Sequence, residues 1–297
     1  MDIPHIQWFP GHMTKTKRKM QEDIKLVDVV IELLDARIPN ASKNPLIKEI
    51  IGDKPHILVL NKADLSDQEL NIMWKKHYEG LGYTVLILSL SHTDAVTKLN
   101  QGLNKLLHDE IARWREKGMV GKKIRAMIVG VTNVGKSSLI NKLAGGKKAK
   151  VEDRPGVTRA RQWYSAGKDL EILDTPGVLW PKFENPEVGE KLAFTGAIKD
   201  DVIDVELVAM RLIRYYLDRS KYKDMLMTRY NLKALSSELF DSLNEYEVLE
   251  VIGKNRGMLL SKNEIDTIRA ANMLLDEFRS GKLGKVTLES PDDFLKK

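Results

Sequence analysis

Residues 125 to 143 constrain the fold more than any others. An apolar run, Arg125 to Val129, leads into Gly130-Val131-Thr132-Asn133-Val134-Gly135-Lys136-Ser137, and the next residues, to Leu143, have helical period. A strand, a glycine-rich turn and a helix in that order form a phosphate cradle. The glycines let backbone amides approach an anion, and the helix adds the positive field of its N-terminus. Lys136 can then reach the β and γ phosphates, and Ser137 offers its hydroxyl to magnesium. Asn133, Val134, Gly135, Lys136, Ser137 and Ser138 are read as the phosphate loop of a nucleoside triphosphate binder.

Around this loop the pattern alternates. Short β-branched runs at Val27 to Leu34, His56 to Leu60, Val85 to Leu90, Gln162 to Ser165 and Leu170 to Leu173 are separated by helical stretches near Ser66 to Gly80 and Ala95 to Lys117. Alternation of this kind predicts an α/β, doubly wound, mostly parallel sheet covered on both faces. After Pro181 the strand signals stop. Asp204 is placed to cap a helix running to Tyr216, and Ser236 a further one. Ser261-Lys262-Asn263-Glu264 has the spacing of a capping box. The helix expected after it puts Ile265, Ile268, Leu275 and Phe278 on one face and ends at Gly281. The expected division is residues 1–180 and a helical domain of residues 181–297, with the linker at Pro181 to Pro186.

Composition narrows the chemistry. The 297 residues contain no cysteine, so thiol nucleophiles, thiolate metal sites and disulfides are excluded. No stretch approaches the roughly 18 apolar residues of a membrane span. No signal peptide is legible at the N-terminus, so a cytoplasmic protein is expected, with no membrane partner. The formal charge of +6 is unevenly placed: Arg113 to Arg161 carries 14 lysines and arginines against three acids. A second basic run contains Lys15, Lys17, Arg18 and Lys19, and Trp8, Phe9 and Trp163 lie close to these runs in sequence. Basic segments with nearby aromatic faces predict a polyanion partner such as RNA.

Two further motifs select the nucleotide. The strand at His56 runs into Asn61-Lys62-Ala63-Asp64, where a carboxylate can accept two hydrogen bonds from the N1 and exocyclic amino hydrogens of guanine, a pattern adenine lacks. Asp64 therefore selects GTP over ATP. Ser89-Leu90-Ser91, at a strand end, resembles a degenerate base-backing loop. Leu170 to Leu173 ends in Asp174-Thr175-Pro176-Gly177, with Asp174 for magnesium through water and the Gly177 amide for the γ phosphate. Thr158 resembles the switch I threonine that closes over magnesium. The order is permuted: the guanine box and its companion (G4, G5) precede the phosphate loop (G1), switch I (G2) and Asp174 to Gly177 (G3). Switch II then leads directly into the helical domain, so nucleotide state is expected to reposition that domain.

This permuted order, with Trp8-Phe9-Pro10-Gly11-His12-Met13, Asp35-Ala36-Arg37-Ile38-Pro39 and the stretch from Gly281 to Glu289, resembles the YlqF/RbgA family of circularly permuted ribosome biogenesis GTPases. The resemblance implies a P-loop GTPase domain, GTP and Mg2+, and binding of rRNA and large (50S) subunit precursors. It also implies hydrolysis stimulated by that subunit, and a C-terminal helical domain that contacts RNA. A monomer is expected. Alternatives are a GTPase with another RNA client, in tRNA modification or small-subunit maturation, and an RNA-binding module stabilised by GTP with little turnover.

Two residues bear on catalysis. Many GTPases orient the attacking water with a glutamine after the Asp-x-x-Gly motif, but here Val178 stands there and cannot hydrogen bond. His12 is the candidate replacement, catalytic beside Lys136 and Thr158, because permutation places its segment next to the point where the domain was cut. Asn133 stands where GTPases that hold a K+ ion beside the phosphates carry asparagine. Asp35 and Arg37 are read as a structural ion pair.

Overall fold

The computed structural model describes residues 10–145, 162–174, 185–234, 240 and 242–295, with side chains from residue 17 onward. The chain divides into two compact units, one spanning residues 8–181 together with 289–297, the other residues 182–288. The expected division is at residue 180, and the second unit begins at residue 182. The expected helical domain runs to residue 297, whereas the described residues 289–295 group with the first unit.

The first unit is a six-stranded sheet in the order β3-β2-β1-β4-β6-β5. Its strands are β1 (Val29–Asp35), β2 (His56–Asn61), β3 (Thr84–Ile87), β4 (Ile124–Val129), β5 (Trp163–Ala166) and β6 (Leu170–Leu173). All neighbours are parallel except β5 and β6. Every residue of β1 is buried, as a central parallel strand covered on both faces requires. Because the strands are parallel, the segments following β1, β2, β3, β4 and β6 all emerge at one edge, where ligands of such sheets bind.

Helices α1 (Pro10–Asp23), α2 (Pro45–Ile51), α3 (Gln68–Gly80), α4 (Ala95–Leu106), α5 (His108–Glu116) and α6 (Lys136–Leu143) belong to this unit, as does a single turn of helix at Asp292–Leu295. Neither α1 nor α2 is foreseen by the sequence reading, although Asn44-Pro45 is a helix start: the Asn44 side chain accepts from the Leu46 amide at 3.0 Å. The single helix expected from Ala95 to Lys117 is two, parted at Leu107, and α5 buries nothing. Trp163, expected as an exposed aromatic face, is 4% exposed and packs in a core cluster with Met20, Val30, Met127 and Leu173. A second core cluster joins Leu34, Leu58, Leu60, Trp74 and Tyr78.

The second unit contains α7 (Pro186–Phe194), α8 (Val205–Leu217), α9 (Ser220–Arg229), α10 (Glu245–Asn255) and α11 (Thr267–Arg279), with α8 touching the other four. Pro186 is the first residue of α7, capped by Asn185, and not part of a linker. Asp204 caps α8 as expected, accepting from the Leu207 amide at 3.0 Å. The helix expected at Ser236 lies outside the described residues.

The capping box expected at Ser261 is not one. Lys262 and Asn263 have positive φ, and α11 starts six residues later with Asp266 accepting from the Arg269 amide at 2.9 Å. The unit's capping box is Asn244 with Glu247, which the sequence reading passed over. Ile268, in the first turn of α11, is 59% exposed, while Ala270, Ala271, Leu274, Leu275 and Phe278 are buried. Gly281 takes positive φ (78°) just beyond the helix, as expected.

Leu274→Ala should therefore lower the stability of this unit by about 2–5 kcal/mol, through lost burial and a cavity. Ile268→Ala should stay within about 0.5 kcal/mol of the parent. Urea unfolding followed by circular dichroism compares the two.

Candidate nucleotide site

The phosphate loop joins β4 to α6 at the carboxyl edge of the sheet. Gly130 has φ +146°, and a Cβ there would lie 2.6 Å from the Leu33 carbonyl oxygen. Gly135, at φ +107°, caps α6, and a Cβ there would lie 2.5 Å from Asn61 Nδ2. Gly130 is required by the close approach of the β1 backbone, and Gly135 by its left-handed φ and the Asn61 side chain beside it. Asn133 is also left-handed, at φ 57°. The Lys136 ammonium lies back along its own loop, donating to the carbonyls of Gly130 at 3.0 Å and Val131 at 2.6 Å. Burial depresses its pKa to about 8, opposed by the negative charge of Asp174. Ser137 and Ser138 follow in the first turn of α6 and are exposed.

Two parallel strands over, β2 carries the second motif. Asn61 at its end donates Nδ2 to the Val134 carbonyl oxygen at 2.8 Å and so ties this edge to the phosphate loop. Lys62 is left-handed (φ 60°), and its ammonium lies 3.0 Å from Asp35 at the end of β1. The Asp64 carboxylate is gripped on both oxygens. Ser89 donates to Oδ1 at 2.6 Å, Ser91 to Oδ2 at 3.1 Å, and the two hydroxyls are 2.6 Å apart. Burial acts to raise its pKa, but the hydrogen bonds from Ser89, a backbone amide and Ser91, with the nearby His92, together hold it below the ordinary carboxylate value. The carboxylate is thus ionised and oriented, with lone pairs left to accept from a planar pair of N–H donors.

The segment carrying Ser89, Leu90 and Ser91 is shorter in strand than expected, because β3 ends at Ile87. It is held by Lys142 of α6, whose ammonium donates to the carbonyls of Leu90 (2.7 Å) and His92. Lys142 was missed by sequence reasoning, since a lysine in the last turn of a helix reads as an ordinary cap. Asp174 follows β6, its amide bonded to the Gln162 carbonyl at 3.1 Å, within electrostatic reach of Lys136. His12 is in the first turn of α1, with its side chain outside what is described, and Thr158, Gly177 and Val178 lie outside the described residues. Asn61, Lys62, Asp64, the serine pair, the phosphate loop and Asp174 are therefore brought to one edge.

The Asp35 and Arg37 side chains form a buried ion pair, with Arg37 donating to Asp35 through Nε at 2.9 Å and Nη2 at 2.8 Å. Burial opposes ionisation of Asp35, but the charges of Arg37 and Lys62 hold its carboxyl well below the usual range. The raw charge of the basic segment is reduced by pairing. Arg113 meets Glu110 at 2.6 Å, Lys122 meets Asp28 at 3.0 Å, and both Lys123 and Arg125 approach Glu171. Lys122 also lies 3.5 Å above the Trp114 ring centroid.

Comparison with known proteins agrees with this geometry. A family profile described as 50S ribosome-binding GTPase matches residues 125–245. Ribosome biogenesis GTPase A of Bacillus cereus is 44% identical over 289 residues, covering 97% of this chain and 95% of the relative. The chain belongs to the ribosome biogenesis GTPase A family. It is a P-loop GTP hydrolase with a circularly permuted nucleotide domain, and its function is in ribosome assembly. Mitochondrial ribosome-associated GTPase 1 of Mus musculus is 36% identical, covering 95% of this chain and 90% of that one. Among solved structures, GDP-bound TM YlqF superposes with a TM-score of 0.66 at 26% identity, over 93% of this chain and 100% of that one. GNP-bound YlqF from T. maritima gives a TM-score of 0.62 at 25% identity, over 94% and 99%. No helix among the described residues is long and apolar enough to cross a membrane.

Because the Lys136 pKa stands near 8, its ammonium is present below that pH and lost above it. GDP affinity should therefore fall as pH rises from 7 to 9, by up to about tenfold per unit once past the pKa. Lys136→Arg keeps its charge and should flatten the profile. Fluorescent-GDP titrations at constant ionic strength measure both.

Proposed function

We propose that this GTPase reads guanine with Asp64, hydrolyses Mg-GTP on the phosphate loop, and uses the cycle to dock on and leave precursors of the large ribosomal subunit. The observation that carries the reading is the Asp64 carboxylate, clamped by Ser89 and Ser91 on an edge bonded by Asn61 to the phosphate loop. The clamp orients an ionised acceptor toward the base, and the Asn61 bond keeps base and phosphate sites in register.

In hydrolysis a water oxygen attacks the γ phosphorus while the bond to the β–γ bridging oxygen breaks, the water's proton passes to a phosphate oxygen, and negative charge grows on the bridging oxygen. Lys136 would leave its carbonyl partners to pair with this charge, stabilising the transition state more than the ground state. Ser137 and Asp174 are hard oxygen donors, a set that suits magnesium held together with phosphate oxygens and water. Bound there, the ion would neutralise charge between the β and γ groups. Thr158 and the Gly177 amide would sense the γ phosphate. His12 would position the water that Val178 cannot, and Asn133 would orient a K+ ion beside the phosphates.

The partner reading rests on the family and on the basic surface that pairing leaves, including Arg115 and Lys117 at the end of α5. The helical unit is read as the RNA-contacting part, and the protein as a cytoplasmic monomer.

Multiple-turnover hydrolysis, measured alone and with large or small subunits, tests the client. Stimulation by the large subunit alone is expected, stimulation by the small subunit or tRNA instead would move the client, and no turnover at all would leave a GTP-stabilised binding module. His12→Ala should abolish stimulated turnover at unchanged GTP affinity. Rates in K+ should exceed those in Na+ with ribosomes present, and equal rates would remove the ion from Asn133.

A further inference from the structure

Glu289 follows directly on the last residue of the helical unit, yet its buried carboxylate works in the nucleotide unit. One oxygen accepts from the Asn40 amide at 2.7 Å, and the Ala41 amide donates to both oxygens at 3.1 and 3.2 Å. Its main-chain carbonyl accepts from Trp74 Nε1 of α3 at 3.0 Å, and Phe294 lies against the same indole. Two orphan amides of the turn after β1 are thereby satisfied by a group 249 residues away.

That turn is cross-braced back to the guanine edge. Ser42 Oγ donates to the Ile38 carbonyl at 2.7 Å and accepts from the Asp35 amide at 3.0 Å, while the Ile38 amide bonds the Asp35 carbonyl at 2.9 Å. The Asp35 carboxylate in turn grips Lys62, and the Ala36 amide bonds the Asn61 carbonyl at 2.8 Å. Lys62 and Asp64 share one tight turn, closed by the Leu65 amide on the Lys62 carbonyl at 2.9 Å.

We propose that Glu289 is a positioning residue for guanine recognition, acting through the turn of residues 35–42 and the Asp35–Lys62 ion pair on the loop that carries Asp64. This rests on reading Asp64 as the guanine acceptor. The carboxylate covers both amides of a turn whose residue Ala41 is itself buried.

The prediction is selective. Loss of Glu289 loosens the base end and leaves the phosphate end alone, so Glu289→Ala should weaken GDP binding about five- to tenfold while inorganic pyrophosphate binds as before. A general loss of structure would weaken both. Glu289→Gln keeps one acceptor oxygen for the two amides and should restore most of the GDP affinity. Ser42→Ala cuts the same brace without touching the 289–295 segment and should weaken GDP selectively as well, which keeps the idea testable if Glu289→Ala folds poorly. Isothermal titration of the full-length variants gives all of these affinities. Unchanged GDP affinity in Glu289→Ala or in Ser42→Ala, or parallel loss of GDP and pyrophosphate in the variants, overturns the proposal. Asp64→Asn is titrated alongside with GDP and xanthosine diphosphate. A switch toward xanthine upholds the reading of Asp64 independently of Glu289, and the absence of a switch overturns that reading and the proposal built on it.

Discussion

A carboxylate buried at the end of a central parallel strand is costly unless its charge is met, and Asp35 is met twice, by Arg37 and by Lys62. That arrangement sets much else. Arg37, 1% exposed, cannot be removed without stranding Asp35, and Asp35 cannot be neutralised without stranding two cations. Removing one member of such a set costs about 3–5 kcal/mol. The Lys62 ammonium is held in place by this ion set, and its left-handed backbone, strained for a side chain by roughly 1–3 kcal/mol, is stabilised from the same direction. The guanine loop is therefore shaped from beneath by an ion cluster anchored at the end of β1.

The phosphate end is organised by steric closeness more than by charge. Gly130 and Gly135 lie where backbone oxygen or the Asn61 amide leaves no room for a side chain, so the loop can sit deep between β1, β2 and α6. The single bond from Asn61 to Val134 then joins the two ends of the site. In an unpermuted chain the same loops would meet at the same sheet edge in another order. Sheet geometry, not chain order, brings them together, which is why permutation leaves the chemistry available.

Much of this was legible in the residues. The glycine-rich turn between strand and helix, the asparagine-lysine-x-aspartate box after a buried strand and the alternation around them carry their geometry locally, so β4, α6, β2 and the permuted order follow from pattern. The serine pair was legible only as a weak likeness, since two serines in a loop say nothing until a carboxylate lies within 3.1 Å of each. What escaped was long-range. Lys142 reaches Leu90 across 52 residues and Glu289 reaches Asn40 across 249, and no local spacing encodes either. Local rules also failed where two of them competed. The Ser261 motif has the right letters, but Asp266 starts α11 further on, which leaves Ile268 in the exposed first turn.

The Glu289 cap has a bearing on how the chain is made. Translation proceeds at about 5–20 residues per second, so a gap of 249 residues separates the Asn40 turn from its cap by at least about 12 s. During that interval the whole helical unit is synthesised while the first turn beyond β1 has only water to meet its two amides. The nucleotide unit is thus begun first in synthesis, and this cap reaches it only after its neighbour has been made.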